Sequence, residues 1–134
     1  MISKCYKQIQ RAVALEFSDI LKSAELIRGT AGRVRKLRLY LIDNTFVDIW
    51  YSFDGSYSYH WEQRGVRDII YRHDNAPHQK WAYVSTFPKH CHDGEQNNVT
   101  ESFLPDDPES AVKAFLSVVR EKMINKQISG SKGE

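Results

Sequence analysis

The spacing of apolar residues changes once along the chain, near residue 32, and each spacing predicts a different element. Between residues 8 and 28 apolar residues recur mostly at steps of three and four, as in a helix with one buried face. Gly29 and Gly32 follow this segment and favour its end. We therefore expect a helix over residues 8–28 and then a strand. The two faces of that strand would be formed by Leu37, Leu39 and Leu41 on one side and by Arg38, Tyr40 and Ile42 on the other.

Alternation of apolar and polar residues continues in three further segments, residues 46–53, 56–63 and 66–72. Asp43-Asn44 and Asp54-Gly55 separate the first of these segments from its neighbours. Both pairs favour two-residue hairpin turns, because their residues tolerate positive φ angles. Short connections between consecutive strands predict an antiparallel meander of four strands. Residues 99–104 are a candidate fifth strand.

A second helix is expected towards the C-terminal end. Asp107 can cap it, Pro108 suits its first turn and Glu109 complements its dipole. Its buried face would consist of Val112, Phe115, Leu116, Val119 and Met123. The fold class is therefore predicted to be α+β: an N-terminal helix, a four- to five-stranded, mainly antiparallel meander sheet and a C-terminal helix. Residues 1–128 would form a single domain and residues 129–134 a frayed tail.

Composition and charge narrow the class of protein. Hydrophobic residues make up 41% of the 134 residues, which is enough for a packed core and argues against disorder. The chain has neither an apolar run of membrane-spanning length nor a signal-peptide core at its N-terminus, so we expect a cytoplasmic protein without membrane contact. Basic residues outnumber acidic ones by six in residues 1–40, whereas residues 91–112 contain six carboxylates and no Lys or Arg. This asymmetry favours two different partners.

Histidines are concentrated between residues 71 and 92, which contain four of the five in the chain. His90 and His92 would project to the same side of an extended backbone, as a catalytic pair or a metal pair requires. Asp74 could orient an imidazole by accepting one ring N–H. The other candidates are His73 and His78 in the same cluster, Arg72 and Lys89 as phosphate-binding cations, and His60 on the polar face of the third predicted strand.

Three kinds of function are compatible with this cluster. In metal-free RNA cleavage, one histidine would accept the 2′-OH proton, another would protonate the leaving oxygen, and a cation would stabilise charge on phosphorus. The catalytic residues would come from His60, Arg72, His73, Asp74, His78, His90 and His92, and the RNA would be bound by Arg33, Arg35, Lys36 and Lys89. Alternatively, a divalent ion such as Zn²⁺ would be held by His73, His78, His90 and His92. The third possibility is a non-catalytic binding module.

Several motifs in this order resemble the TumE-like family of prokaryotic proteins. They are Lys36-Leu37-Arg38-Leu39, Asp54-Gly55 through Tyr59-His60-Trp61, Arg72-His73-Asp74-Asn75-Ala76-Pro77-His78 and Phe87-Pro88-Lys89-His90-Cys91-His92. The resemblance implies the toxin half of a type II toxin–antitoxin pair, with a cognate antitoxin, usually a helix-turn-helix protein, and an RNA target. Together with the histidines it makes a metal-independent endoribonuclease without a cofactor the leading expectation.

Overall fold

The computed structural model describes residues 2–132, with side chains described for residues 2–125. The first element of the fold is helix α1, Ile2–Glu16, and the last is helix α2, Pro108–Lys132. Between them lie seven strands: β1 Leu21–Arg28, β2 Val34–Leu41, β3 Phe46–Tyr51, β4 Tyr57–Glu62, β5 Ile70–Asp74, β6 His90–Gly94 and β7 Val99–Glu101. A 3₁₀ turn, Gln79–Trp81, interrupts the connection from β5 to β6. The tail predicted for residues 129–134 lies where side chains are not described, and residues 133–134 lie outside the described residues.

All seven strands form one antiparallel sheet in which spatial order equals chain order, from β1 to β7. The α+β class with helices at both ends is confirmed, but the predicted strand number is wrong, because β1 and β6 were not foreseen as strands. The helix predicted over residues 8–28 is also wrong in its second half. That helix ends at Glu16, and β1 follows, pairing with β2 so that Leu26 lies opposite Leu37.

Both helices pack on the same face of the sheet. Tyr6, Ile9 and Val13 form the buried face of α1. From α2, Phe115 contacts the rings of Tyr59 and Tyr71. The predicted alternation places the apolar residues of β2, β3 and β4 in this core: Leu37, Leu39, Leu41, Val47, Ile49, Tyr59 and Trp61. The other face of β2 to β5 therefore carries the polar members of each strand.

The hairpin turns follow the predicted chemistry. Asn44 and Gly55 both adopt positive φ, 68° and 88°, at the two predicted turns. Within the region that the structure describes, no helix is both long enough and apolar enough to cross a membrane.

Candidate active site

Five side chains form a straight polar row across the face of the sheet opposite the helices, which we call the open face. Each member lies directly across from the next in the strand register: Arg38 (β2), Asp48 (β3), His60 (β4), Arg72 (β5) and His92 (β6). Four strand spacings of about 4.8 Å give the row a length of about 19 Å. The row lies along a groove made of two cavities of about 520 and 580 Å³, which share Arg72 as a lining residue.

Cations outnumber carboxylates in the part of the groove near β2 to β4. Asp48 accepts hydrogen bonds from Lys36 at 2.8 Å and from Arg38 at 2.8 and 3.0 Å. Burial alone would raise the pKa of Asp48, but these two cations hold that pKa below its ordinary value. This part of the groove is lined by five cations and two carboxylates, namely Arg35, Lys36, Arg38, Arg64 and Arg72 with Asp48 and Glu62. It therefore presents a net positive surface.

The other end of the groove contains a compact cluster of Asp74, His90 and His92. Nε2 of His90 lies 3.2 Å from Oδ1 of Asp74, and Nε2 of His92 lies 3.8 Å from Oδ2. All three side chains are buried, and one ligand atom from each can be chosen so that the three lie within 4.8 Å of one another. The prediction that His90 and His92 project to the same side is confirmed, because they are alternate residues of β6.

Each member of this cluster is fixed by a second contact. Nδ1 of His90 lies 2.7 Å from the carbonyl oxygen of Pro88, and Nδ1 of His92 lies 2.7 Å from that of Gln96. Asp74 accepts hydrogen bonds from the backbone N–H of Ala76 at 2.9 Å and from Nε of Arg72 at 2.8 Å. These contacts lower the pKa of Asp74 below its ordinary value although burial opposes them, so Asp74 is a carboxylate at neutral pH.

Trp81 covers one side of the two histidines. Its ring centroid lies 6.3 Å from that of His90 and 5.6 Å from that of His92. Trp81 itself is held by a small apolar cluster with Val84 and Val99. Burial is the main cause that lowers the pKa of His92, so its ring is neutral at pH 7.

His60 and His78 occupy two different places along the groove. His60 lies in the middle of the polar row, and its buried Nδ1 has no hydrogen-bond partner within the described part of the chain. Burial, and after it the charge of Arg72, lower the pKa of His60. His78 is exposed and lines the cavity beside Asp74 from the connection after β5. His60 lines the cavity of about 520 Å³, whereas His78 lines the cavity of about 580 Å³ together with His90 and His92.

His73 does not join this group, and the expectation that it shares their site is wrong. It lies between Arg72 and Asp74 on β5, so its side chain points to the helix-covered face. There its Nδ1 lies 2.7 Å from the hydroxyl of Ser102 and its Nε2 lies 3.0 Å from that of Tyr71. Burial lowers its pKa to about 4. The four-histidine metal site considered from the sequence fails for the same reason.

One comparison with known proteins identifies the family. The family model described as Toxin TumE matches residues 9–123, which include the whole polar row and the Asp74–His90–His92 cluster. The chain belongs to the TumE toxin family. No curated protein and no solved structure matches it. The resemblance stated from the sequence motifs is thereby confirmed.

The four cations predicted to bind substrate in this TumE-family chain fall into two pairs. Arg35 and Lys36 line the groove. Lys89 and Arg33 do not: Lys89 donates to the carbonyl oxygen of Leu104 at 2.7 Å and contacts Asp106 at 3.2 Å, and Arg33 lies exposed before β2. The side chain of Lys89 is therefore directed towards Leu104 and Asp106 and not into the groove.

Arg38 and Asp48 are groove residues that had no predicted role. Both alternate with core residues of their strands, which was visible in the sequence. Their position beside His60 depends on the register of three strands, and the sequence does not specify that register by itself. The backbone carbonyl groups of Pro88 and Gln96, which contact His90 and His92, cannot be predicted from residue type, because every residue has such a group.

Replacing His73 with Ala is expected to lower the free energy of unfolding of this TumE-family chain by about 2–3 kcal/mol. The change removes buried packing against Phe115 and leaves the hydroxyls of Ser102 and Tyr71 without their imidazole partner. Urea denaturation followed by circular dichroism measures the effect. An unchanged unfolding midpoint, combined with loss of growth inhibition, would instead indicate that His73 takes part in catalysis.

Proposed function

We propose that this member of the TumE toxin family is an endoribonuclease, the toxin half of a type II toxin–antitoxin pair. In this proposal RNA lies in the groove on the open face and is cleaved at the end formed by Asp74, His90 and His92. The cognate antitoxin, expected to be a helix-turn-helix protein, counteracts this activity. Membership of the family supports the toxin role. The substrate and the reaction are inferred from the groove.

The polar row on the open face is the observation that carries the proposal. A single-domain protein buries apolar residues on one sheet face and needs only solvated polar residues on the other. Here the polar residues instead align in register from Arg38 to His92 and end at two buried imidazoles and a buried carboxylate. At about 3.4 Å per stacked nucleotide, a row of about 19 Å spans several nucleotides of a single strand.

The groove also offers an aromatic surface for bases. Trp50 is 38% exposed and lines the groove beside Ser58 on the neighbouring strand. Every base has a flat π face, so stacking on an exposed indole tolerates any sequence. Phosphates on the positive side of the groove and one base on Trp50 would direct the strand towards Arg72.

Two mechanisms use the Asp74–His90–His92 cluster differently. In both, the 2′-oxygen of RNA attacks phosphorus, the bond from phosphorus to the 5′-oxygen breaks, and Arg72 stabilises the developing negative charge. Without a metal, one histidine accepts the 2′-OH proton and the other donates a proton to the 5′-oxygen. With a metal, Asp74 and both imidazoles would hold the ion, which would supply stabilisation of the phosphate charge and a base at neutral pH. The contact of each Nδ1 with a backbone carbonyl oxygen favours the second mechanism, because it leaves Nε2 of both rings available as a metal ligand.

A triple variant in which Arg35, Lys36 and Arg64 are each replaced by Gln is expected to bind RNA roughly 10- to 50-fold more weakly near physiological salt, for all RNA sequences. All three line the positive part of the groove. Each lost phosphate contact should also reduce the slope of log affinity against log salt by about 0.7. Fluorescence anisotropy with a labelled RNA, at several salt concentrations, measures both quantities.

The matched control removes three cations from the opposite side of the protein. Lys4, Lys7 and Arg11 are exposed on α1, which packs on the other face of the sheet. Their replacement with Gln changes the net charge equally and is expected to leave the affinity and the salt slope nearly unchanged. Equal losses of affinity in the two triple variants would show that binding depends on net charge alone. This result would contradict the proposal that RNA binds in the groove.

A further inference from the structure

The tautomers of His90 and His92 follow from their backbone partners. Nδ1 of each ring lies 2.7 Å from a carbonyl oxygen, that of Pro88 or that of Gln96. A carbonyl oxygen can only accept a hydrogen bond, so Nδ1 carries the proton in both rings. In a neutral imidazole Nε2 is then a bare lone pair. Nε2 of His90 and Nε2 of His92 lie 3.2 and 3.8 Å from oxygens of the Asp74 carboxylate.

This arrangement brings three electron-rich groups together in a buried place. His90 is 1% exposed, and its Nε2 has no hydrogen-bond partner within the described part of the chain, although Oδ1 of Asp74 is only 3.2 Å away. An unprotonated nitrogen this close to a carboxylate oxygen is repelled by it unless a cation lies near both atoms. Either a proton or a metal ion can fill that role.

We propose that Asp74, His90 and His92 bind one divalent transition-metal ion, of which Zn²⁺ is the best candidate. Ligands bonded to one ion at about 2.0–2.1 Å, with octahedral or tetrahedral angles, lie about 2.8–3.4 Å apart. The 3.2 Å between Nε2 of His90 and Oδ1 of Asp74 falls within that range, and the 3.8 Å between Nε2 of His92 and Oδ2 is longer. Two imidazoles and one carboxylate suit Zn²⁺ and other transition metals better than Mg²⁺, which prefers oxygen ligands.

The surroundings of the three ligands match what a metal site requires. Metal-binding histidines almost always donate their other ring N–H to a carbonyl or carboxylate, which fixes the ring and strengthens the ligand. Both rings do so here, and Asp74 is held by Ala76 and Arg72. An ion pair with Asp74 needs only one imidazole, whereas here two rings each have Nδ1 at a backbone carbonyl oxygen and Nε2 within 4 Å of the Asp74 carboxylate.

The site is open on one side, which suits a catalytic ion. Asp74, His90 and His92 line the cavity of about 580 Å³ that continues into the groove. Three protein ligands leave at least one position for water or a phosphate oxygen. If the proposed function holds, Asp74, His90 and His92 would hold an ion that would supply Lewis-acid stabilisation of the phosphate beside Arg72.

Zn²⁺ binding can be measured without RNA. Untagged protein is treated with EDTA, dialysed and titrated with Zn²⁺ alone in isothermal titration calorimetry. One Zn²⁺ per chain is expected. His92→Asn and Asp74→Asn are each expected to weaken Zn²⁺ binding at least about 100-fold. His60→Asn removes an imidazole from the middle of the same groove and is expected to change the affinity less than about threefold.

Ring ¹⁵N spectra of the wild-type protein provide a second readout that needs no variant to fold. Zn²⁺ is expected to shift the Nε2 resonances of His90 and His92 while Nδ1 stays protonated. Absence of Zn²⁺ binding, equal affinity in all three variants, or unshifted Nε2 resonances would each overturn the ion site. Zn²⁺ binding without RNA cleavage would support the ion site and contradict the proposed function. RNA cleavage by protein that binds no Zn²⁺ would support the proposed function and contradict the ion site.

Discussion

Replacing His90 or His92 with Asn is expected to reduce RNA cleavage by at least about 10³-fold while the protein stays folded. The Asn amide N–H₂ can take the place of Nδ1–H as donor to the carbonyl of Pro88 or Gln96. The same change removes Nε2, the atom that faces Asp74. The rate of cleavage at saturating RNA measures the loss, and thermal melting checks the fold.

Cys91→Ala is the matched control for these two variants. Cys91 lies between the two histidines on β6, but its side chain is in the core on the opposite face. We expect this variant to cleave RNA at nearly the wild-type rate, with a modest loss of stability. Cleavage at the wild-type rate by folded His90→Asn and His92→Asn variants would remove both imidazoles from the chemistry.

Replacing Trp61 with Ala is expected to lower the free energy of unfolding by about 3–5 kcal/mol and Tm by roughly 10–15 °C. Trp61 is fully buried on β4, and its indole N–H donates to the hydroxyl of Thr45 at 2.8 Å. The change leaves a large cavity and removes the indole N–H from the Thr45 hydroxyl, which keeps its hydrogen bond to Asp43. Many domains have a total stability of about 5–15 kcal/mol, so part of the variant population should be unfolded at 37 °C.

Trp50→Ala provides the comparison on the other side of the sheet. Trp50 lies on the adjacent strand β3, partly exposed in the groove, so its loss is expected to cost less than about 1 kcal/mol. Urea denaturation of both variants measures the difference. Equal destabilisation by the two changes would contradict the assignment of a buried face and an open face.

Alternation in the sequence was sufficient to predict the centre of the sheet. In β2, Leu37, Leu39 and Leu41 are predicted to share one face, and all three are buried in the structure, whereas Arg38 and Tyr40 on the other face are only partly buried. Apolar residues of β1 do not alternate cleanly: Leu21 and Ala24 are three apart and continue the helical spacing of α1. Pairing with β2 determines the extended form of this edge strand, and such long-range pairing overrides local preference.

The sequence predicts those features of the candidate site that depend only on which residues of one strand point to the same face. His90 and His92 on one side of the backbone follow from their spacing alone. Nearness in sequence groups His73 with these two histidines. However, His73 lies between Arg72 and Asp74 on β5, so its side chain points to the opposite face of the sheet. The row from Arg38 to His92 depends on the register of five strands, and the ring tautomers depend on two backbone carbonyls. Neither feature is encoded in a local motif.

The central claim, that the open face binds RNA and cleaves it at Asp74, His90 and His92, is tested most directly with one RNA and two proteins. A 5′-labelled RNA is incubated with Zn²⁺-supplemented wild-type protein and with the folded Asp74→Asn variant, and growth inhibition by both is measured in cells. Wild-type protein is predicted to produce discrete fragments and to inhibit growth, and the variant to do neither. Intact RNA with wild-type protein that still inhibits growth, or fragments produced equally by both proteins, would contradict the claim.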